Sequence, residues 1–119
     1  GVLIGDGVHI GNFTSVVAGT IEPTRIDDGT MIDNLVHVAH NVQIGKNCQV
    51  IACAEISGSV ILRENVTIAP NATIIQKVEI GENSLVGLGA VVVKSVPANV
   101  IVTGVPAKII REISPPEDK

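Results

Sequence analysis

Branched aliphatic residues recur in this chain at every sixth position, and a second series of small or β-branched residues follows four positions behind them. Because side chains alternate between the faces of a strand, two inward residues separated by one outward residue predict a short strand. The first series is Ile26, Ile32, Val38, Ile44, Val50, Ile56, Leu62, Ile68, Ile74, Ile80, Val86 and Val92; the second is Thr30, Val36, Val42, Cys48, Ala54, Val60, Val66, Ala72, Val78, Ser84, Ala90 and Val96. A six-residue period sustained this long predicts an all-β fold, a parallel β-helix.

Three residues separate one inward pair from the next, and these triplets predict the corners of the helix. Seven of the twelve triplets end in glycine or asparagine, which tolerate a left-handed backbone better than other residues. Those residues are Gly29, Asn41, Asn47, Asn65, Asn71, Asn83 and Gly89. They support the strand pattern independently of the hydrophobic series.

The period is already present at Ile4, Ile10 and Val16, but ten residues then separate Val16 from Ile26, which leaves four extra residues within 19–25. An excursion from a strict solenoid is a common place for function. We predict a β-helix domain over residues 1–100, which either starts abruptly or lacks an N-terminal part. Residues 101–119 are predicted to form a C-terminal cap, helical for two turns at most over 106–113, with a mobile tail from 114.

Composition excludes several classes of function. Of the residues, 45% are hydrophobic and Phe13 is the single aromatic, so stacked aliphatic side chains must form the core. The net charge of −4 comes with no basic stripe, and no apolar run is long enough to span a membrane. We therefore expect no nucleic acid, no membrane insertion, a cytoplasmic location and a small-molecule site. Cys48 falls on an inward position and Cys53 in a turn, and their spacing matches neither a zinc pair nor a redox motif.

The hexapeptide pattern resembles the left-handed β-helix family, in which three repeats form one triangular coil. In that geometry residues eighteen apart stack at the strand spacing of about 4.8 Å, and the corners sort into three edges. The first, or charged, edge comprises corners 27–29, 45–47, 63–65 and 81–83. The second edge comprises corners 33–35, 51–53, 69–71 and 87–89. The third, here called the histidine edge, comprises corners 39–41, 57–59, 75–77 and 93–95.

On the histidine edge, His40 is predicted to lie in mid-corner with Gly58 one rung away. Imidazole ordinarily titrates near neutral pH and can accept a proton from an amine or hydroxyl nucleophile. The backbone N–H of a glycine can stabilise the oxyanion of a tetrahedral intermediate. The pair suits acyl transfer, although the spacing alone is equally compatible with a histidine that only occupies a turn.

Residues 13–77 resemble the active-site coils of the UDP-3-O-acylglucosamine N-acyltransferases of lipid A biosynthesis. The matching segments are Ile32-Asp33-Asn34, Ala39-His40-Asn41-Val42, Ile44-Gly45 and Gly58-Ser59. The resemblance implies that His40 is the general base, that Gly58 offers its N–H to the acyl carbonyl, and that Asp33 and Asn34 lie beside the amino sugar. It also implies a homotrimer with sites between subunits, and an acyl-CoA or acyl carrier protein as co-substrate rather than a tightly bound cofactor.

The chain departs from that family towards its C-terminal end. A second histidine of the family corresponds to Lys77, and Gly104-Val105-Pro106-Ala107-Lys108 resembles a turn that lies near the CoA phosphates in CoA-dependent hexapeptide acetyltransferases. The expected donor-binding residues are Lys77, Gly87, Gly89, Lys94, Ala107 and Lys108. The alternative is that this segment only closes the end of the solenoid. The acceptor sugar, the acyl length and the choice between CoA and acyl carrier protein stay open.

The remaining polar candidates are less specific. Glu55 is predicted to stack on His37, close enough for a hydrogen bond or ion pair. Three histidines in a β-helix also resemble the zinc site of the γ-class carbonic anhydrases, but their spacing in this chain does not match, and we expect no metal. Glu22 is counted with the substrate-binding residues, and Glu22 and Asp33 are the candidate acids for orienting His40.

The sequence therefore predicts an N-acyltransferase that acts on the amino group of a nucleotide-linked or lipid A precursor sugar. Two alternatives remain: an O-acetyltransferase of the same fold, and a non-catalytic β-helix scaffold. Outward apolar residues on the flat faces are candidates for burial between subunits. These are Met31, Ile61, Leu85 and Val91.

Overall fold

The computed structural model of the chain describes residues 1–114, and in that range every regular element is a short strand. The strands are β1 (Val2–Ile4), β2 (His9–Ile10), β3 (Ser15–Val16), β4 (Thr24–Ile26), β5 (Met31–Ile32), β6 (His37–Val38), β7 (Gln43–Ile44), β8 (Gln49–Val50), β9 (Glu55–Ile56), β10 (Ile61–Leu62), β11 (Thr67–Ile68), β12 (Thr73–Ile74), β13 (Glu79–Ile80), β14 (Leu85–Val86), β15 (Val91–Val92), β16 (Val100–Thr103) and β17 (Lys108–Glu112). Within residues 1–114 no helix is long and apolar enough to cross a membrane.

Three sheets form the three faces of the solenoid. Up to β15, consecutive strands enter different sheets, and each strand from β1 to β12 pairs in parallel with the strand three places further along the chain. Sheet A has the order β1-β4-β7-β10-β13, sheet B the order β2-β5-β8-β11-β14-β16-β17, and sheet C the order β3-β6-β9-β12-β15. The predicted parallel β-helix with three repeats in each coil is confirmed.

Both hydrophobic series line the interior of this solenoid. Most of their members are completely buried, and the most accessible, Val96, retains 7% exposure. The hydroxyl of Thr30 stands in for an aliphatic group in this core: it donates to the carbonyl of Gly45 (2.7 Å) and accepts from the N–H of Cys48 (3.1 Å). Because both bonds are made, the buried hydroxyl is accommodated without an unpaired polar atom.

The four extra residues form an excursion between β3 and β4, as predicted. Across it Val2 pairs with Thr24, 22 residues later, whereas His37 pairs with Glu55, 18 residues later, in the regular coils beyond. The excursion, residues 17–23, therefore projects from the histidine edge of the first coil and rejoins the core at Thr24. Thr24 is completely buried.

The helical conformation predicted for the C-terminal cap is wrong, because this segment is a strand hairpin. Strand β16 continues sheet B by pairing in parallel with β14, and β17 folds back antiparallel to β16. The β-branched pair Ile109 and Ile110 favours a strand, and the open edge of β16 supplies backbone hydrogen-bonding partners that a helix would leave unused. Residues 115–119, which hold most of the predicted mobile tail, lie outside the described residues.

The two cysteines are expected to differ in reactivity. Cys48 is buried and its Sγ donates to the carbonyl of Arg63 (3.0 Å), whereas Cys53 is exposed. Burial raises the pKa of the Cys48 thiol to about 11. Because the thiolate is the reactive form, we expect 5,5′-dithiobis(2-nitrobenzoate) at neutral pH to titrate one thiol quickly and Cys48 at least about 100-fold more slowly. A fast thiol remaining in Cys53→Ser would contradict this.

The same thiol gives a pH dependence of stability. The pKa of the Cys48 thiol in the folded chain lies above its ordinary value of 9.0. The contribution of the protonated thiol to the free energy of unfolding is therefore complete below pH 9 and is lost as the pH rises towards 11. The unfolding free energy of the wild-type chain should therefore fall across this range more steeply than that of Cys48→Ala. Alanine is a suitable control because Ala54 and Ala72 occupy equivalent inward positions.

Candidate active site

The histidine edge is a continuous ladder of corners that follows sheet C and precedes sheet A. His40 occupies the mid-corner position between β6 and β7, and Gly58 occupies it one rung further along. The carbonyl of His40 accepts from the N–H of Ser59 (3.0 Å), and the carbonyl of Gly58 accepts from the N–H of Lys77 (2.9 Å). Backbone hydrogen bonds therefore hold three successive rungs of this edge in fixed register.

The imidazole of His40 lies directly against Gly58. A Cβ atom built on Gly58 would stand 2.7 Å from Nε2 and 2.8 Å from Cε1 of His40, closer than two such atoms can approach. Only glycine therefore leaves room for this ring position. The N–H of Gly58 donates no hydrogen bond within residues 1–114, so it is free to bind a ligand oxygen.

The second contact of the ring is with Asn41, a residue that sequence reasoning treated only as a turn former. Nδ1 of His40 lies 3.2 Å from Oδ1 of Asn41, and Nδ2 of Asn41 donates to the carbonyl of Glu22 in the excursion (2.8 Å). Among the described residues neither Asp33 nor the Glu22 carboxylate hydrogen-bonds to the ring. The sequence feature that could have indicated these contacts of Asn41 is the excursion, which ends beside the corner of His40.

Asp33 and Asn34 lie on the second edge and not beside His40. Oδ1 of Asp33 accepts from the N–H of Asn34 (2.8 Å), and Oδ1 of Asn34 accepts from the N–H of Asn12 in the preceding coil (2.7 Å). Both oxygens thus stabilise corners, while the second carboxylate oxygen of Asp33 keeps its acceptor capacity. The β6 strand separates these residues from His40, so one chain does not bring the predicted acceptor-binding residues and the base together.

Three of the predicted donor-binding residues converge at the C-terminal coil. Lys94, Ala107 and Lys108 line a cavity of about 210 Å³ whose walls are otherwise mostly aliphatic. The N–H of Ala107 donates to the carbonyl of Val91 (2.8 Å), which fixes the turn between β16 and β17 over the last coil. An apolar cavity with two lysines at its rim suits a ligand that combines an alkyl arm with phosphate.

The other three predicted donor-binding residues lie outside that cavity. Lys77 is exposed on the histidine edge, two rungs from His40. Gly87 and Gly89 lie in the last corner of the second edge, where Gly87 is buried and a Cβ on it would stand 2.9 Å from Oγ1 of Thr103. The close approach of β16 therefore accounts for the glycine at position 87.

Left-handed corners distinguish the three edges. On the charged edge and its continuation, glycine or asparagine occupies every corner with positive φ: Gly7, Gly29, Asn47, Asn65, Asn83 and Asn99. The other two edges place less tolerant residues in the same conformation: Phe13, Leu35 and Cys53 on the second edge, and Ser59 and Lys77 on the histidine edge. Such residues cost about 1–2 kcal/mol each in this region, and strain of this kind collects at functional sites. The strained corners thus mark the two edges that the sequence singled out.

His37 and Glu55 are paired on neighbouring strands of sheet C, as predicted. The described contacts show no hydrogen bond or ion pair between them, and Oε1 of Glu55 accepts instead from Oγ of Ser57 (3.3 Å). His9 lies in sheet B, apart from His37 and His40. Within the described part of the chain, no three histidine, cysteine or acidic side chains lie close enough together to hold a metal ion.

Comparison with known proteins relates this chain to acyltransferases. Residues 23–58, which include both His40 and Gly58, match the model of the bacterial transferase hexapeptide (six repeats). The UDP-3-O-acylglucosamine N-acyltransferase of Caulobacter sp. (strain K31) is 41% identical over 110 residues, which is 92% of this chain and 32% of that protein. That of Rhizobium meliloti (strain 1021) is 40% identical over 111 residues, 93% of this chain and 31% of that protein.

A solved structure shares the architecture of the chain. The UDP-N-acetylglucosamine acyltransferase from Campylobacter jejuni superposes with a TM-score of 0.91 at 26% identity, covering 94% of this chain and 46% of that one. The chain spans about a third of the length of the curated relatives it matches.

Proposed function

We propose that this chain carries an acyl-transfer site. Its repeats are those of the bacterial hexapeptide transferases, and its relatives are UDP-3-O-acylglucosamine N-acyltransferases. It would move an acyl group from a phosphopantetheine thioester to the amino group of a nucleotide-linked or lipid A precursor amino sugar. The observation that carries the proposal is the imidazole of His40 packed on Gly58, beside a free backbone N–H.

In the proposed reaction His40 is the general base. Its Nε2 accepts a proton from the sugar amine as the nitrogen attacks the thioester carbonyl. The N–H of Gly58 donates to the resulting oxyanion, which stabilises the tetrahedral intermediate. The C–S bond then breaks, the thiolate takes the proton from the His40 imidazolium and leaves as the free thiol, and the amide product remains. Every bond change takes place between the two substrates, so no covalent enzyme intermediate is required.

The acceptor site is proposed to form between two copies of the chain. Asp33 and Asn34 lie on an edge that the same chain's His40 does not reach, so they serve a site when a neighbouring copy presents its histidine edge. The exposed apolar side chains Phe13 and Leu35, on the same edge, are suited to burial at such a contact. A homotrimer with three such sites satisfies this requirement. Glu22, near the end of the excursion and beside Asn41, is proposed to lie on the acceptor side.

The donor is proposed to lie along the histidine edge. Lys94 lies on the same mid-corner column as His40, three rungs further along, which corresponds to about 14 Å at the usual strand spacing. A pantetheine arm that follows this column would place its thioester at His40 and its phosphates near Lys94 and Lys108. Lys77 lies between them. An acyl-CoA and an acyl carrier protein both carry this arm, so each is a candidate co-substrate.

Donor binding separates the proposed function from a scaffold. We expect the Lys94→Ala, Lys108→Ala double variant to weaken acetyl-CoA binding by on the order of tenfold in isothermal titration, because two phosphate-binding cations are lost. Lys46→Ala, on the charged edge, is the matched control and should bind normally. Binding of an acyl carrier protein but not of CoA would identify the carrier protein as donor. Failure of both donors to bind, with no thiol release in the presence of amino sugars, would favour a scaffold.

A further inference from the structure

The geometry points to Asn41 as a positioning residue that holds His40 in the tautomer with hydrogen on Nδ1, under the control of the excursion. The inference rests on the proposed role of His40 as base. Its starting observation is the 3.2 Å contact between Nδ1 of His40 and Oδ1 of Asn41.

The orientation of the Asn41 amide is fixed by its other partner. The amide nitrogen Nδ2 lies 2.8 Å from the carbonyl oxygen of Glu22, which can only accept a hydrogen bond. The oxygen Oδ1 is therefore the amide atom that faces the imidazole. Since this oxygen is also only an acceptor, the neutral ring must carry its hydrogen on Nδ1 to make the bond.

The tautomer leaves the lone pair on the nitrogen that the reaction needs. Nε2 is the ring atom closest to the position that a Cβ on Gly58 would occupy, at 2.7 Å. An acceptor amine that attacks a thioester whose carbonyl oxygen is bound by the N–H of Gly58 therefore meets the basic nitrogen of His40. The opposite tautomer would turn an N–H towards the amine and prevent proton transfer.

The excursion holds Asn41 through its backbone as well. The N–H of Asn41 donates to Oγ1 of the buried Thr24 (2.8 Å), and that hydroxyl donates to the carbonyl of Val17 (2.7 Å), where the excursion begins. A Cβ on Gly19 would stand 2.9 Å from Nδ2 of Asn41, so the start of the excursion also packs against the amide. Both ends of the loop thus contact one asparagine.

This arrangement is confined to the rung that carries the histidine. The residues that occupy the position of Asn41 on the next two rungs are Ser59 and Lys77, and neither side chain hydrogen-bonds within residues 1–114. The four extra residues therefore add contacts at one place, beside the proposed base. The excursion acts on catalysis through Asn41 and needs no contact with substrate to do so.

The test reads the tautomer directly by two-bond 1H–15N correlation of the histidine rings, at a pH where they are neutral. His40→Ala identifies the signals of His40. We expect the wild-type ring to carry its hydrogen on Nδ1, and Asn41→Gly to shift the population towards hydrogen on Nε2, the form preferred by unconstrained histidine. Glycine keeps the left-handed backbone of position 41. Asn41→Asp retains an acceptor oxygen and should keep the wild-type tautomer.

A second pair of variants tests the role of the excursion. Thr24→Val removes the hydroxyl that ties Asn41 to Val17 and should increase the Nε2–H population. Thr30→Val is the matched control, because Thr30 makes the same two kinds of bond in the same inward position, away from His40. Hydrogen on Nε2 in the wild-type chain, or an unchanged tautomer in Asn41→Gly, would overturn the inference.

The catalytic readout is separate from the tautomer readout. We expect Asn41→Gly to lower kcat about 10- to 100-fold with little change in KM, since a misplaced imidazole tautomer impairs proton transfer without removing substrate contacts. A wild-type chain with hydrogen on Nδ1 but no acyl transfer would refute the proposed function alone. Acyl transfer by a ring with hydrogen on Nε2 would refute the positioning role alone.

Discussion

Replacing His40 by alanine is expected to lower kcat for acyl transfer by about 10²- to 10⁴-fold, the range that a positioned general base supplies. The amine must lose a proton as it attacks, and within the described residues no other side chain packs against Gly58 in the place of this imidazole. Donor affinity should be unchanged, because Lys94 and Lys108 lie three coils away. The measurement is thiol release from an acyl donor in the presence of an amino-sugar nucleotide.

The control for this substitution is His37→Ala. His37 is three residues away and points outward from sheet C, so its loss removes an imidazole from the same coil without touching the ladder of corners. Activity within about twofold of wild type is expected, because an exposed substitution of this kind usually changes the stability little. Equal losses in both variants, or full activity in His40→Ala, would refute the assignment of the base.

Gly58→Ala is expected to lower kcat by on the order of 10²-fold while leaving the fold intact. The added Cβ would stand 2.7 Å from Nε2 of His40, so the ring must move, and a displacement of about 1 Å commonly costs that much in rate. The backbone at position 58 is outside the left-handed region, so alanine introduces no backbone strain there. Glu64→Ala, a mid-corner change on the charged edge, is the control for stability and activity.

The substitutions His40→Ala and Gly58→Ala can be combined in a double-mutant cycle. If Gly58→Ala acts by displacing His40, the double variant should be no slower than His40→Ala, because the displaced group is already absent. If the two losses multiply instead, Gly58 contributes independently through its N–H. A Gly58→Ala variant that melts well below wild type would show that the loss reflects unfolding, which circular dichroism distinguishes from a local effect.

The sequence was sufficient to predict the solenoid because its signal is local and repeated. Each inward position is occupied by a small or branched residue, and the glycine and asparagine corners repeat the same register, so no long-range information was needed. The four-residue excursion was visible as a shift of that register. His40 and Gly58 could be paired because the resemblance to left-handed β-helices implies eighteen residues in each coil.

The contacts of Asn41 and the strand hairpin at the C-terminus could not be predicted in the same way. The left-handed corner already accounted for an asparagine at position 41, so the sequence indicated no additional role for its side chain. The hydrogen-bonding partners of that side chain come from an irregular loop that has no sequence period. The segment around Ile109 and Ile110 is short enough for either helix or strand, and the edge of β16 decided between them. In both cases tertiary partners outside the repeat determined the outcome.

The whole-number spacing of the coils has a consequence for how such a site can change. His40 and Lys94 lie on one column, so the distance between them is a count of rungs and not a continuous quantity. Point substitutions cannot lengthen or shorten it; only the gain or loss of a complete eighteen-residue coil can, in steps of about 4.8 Å. The length of the proposed donor path can therefore change only in fixed steps. Relatives that accommodate a longer or shorter arm should differ from this chain by whole coils.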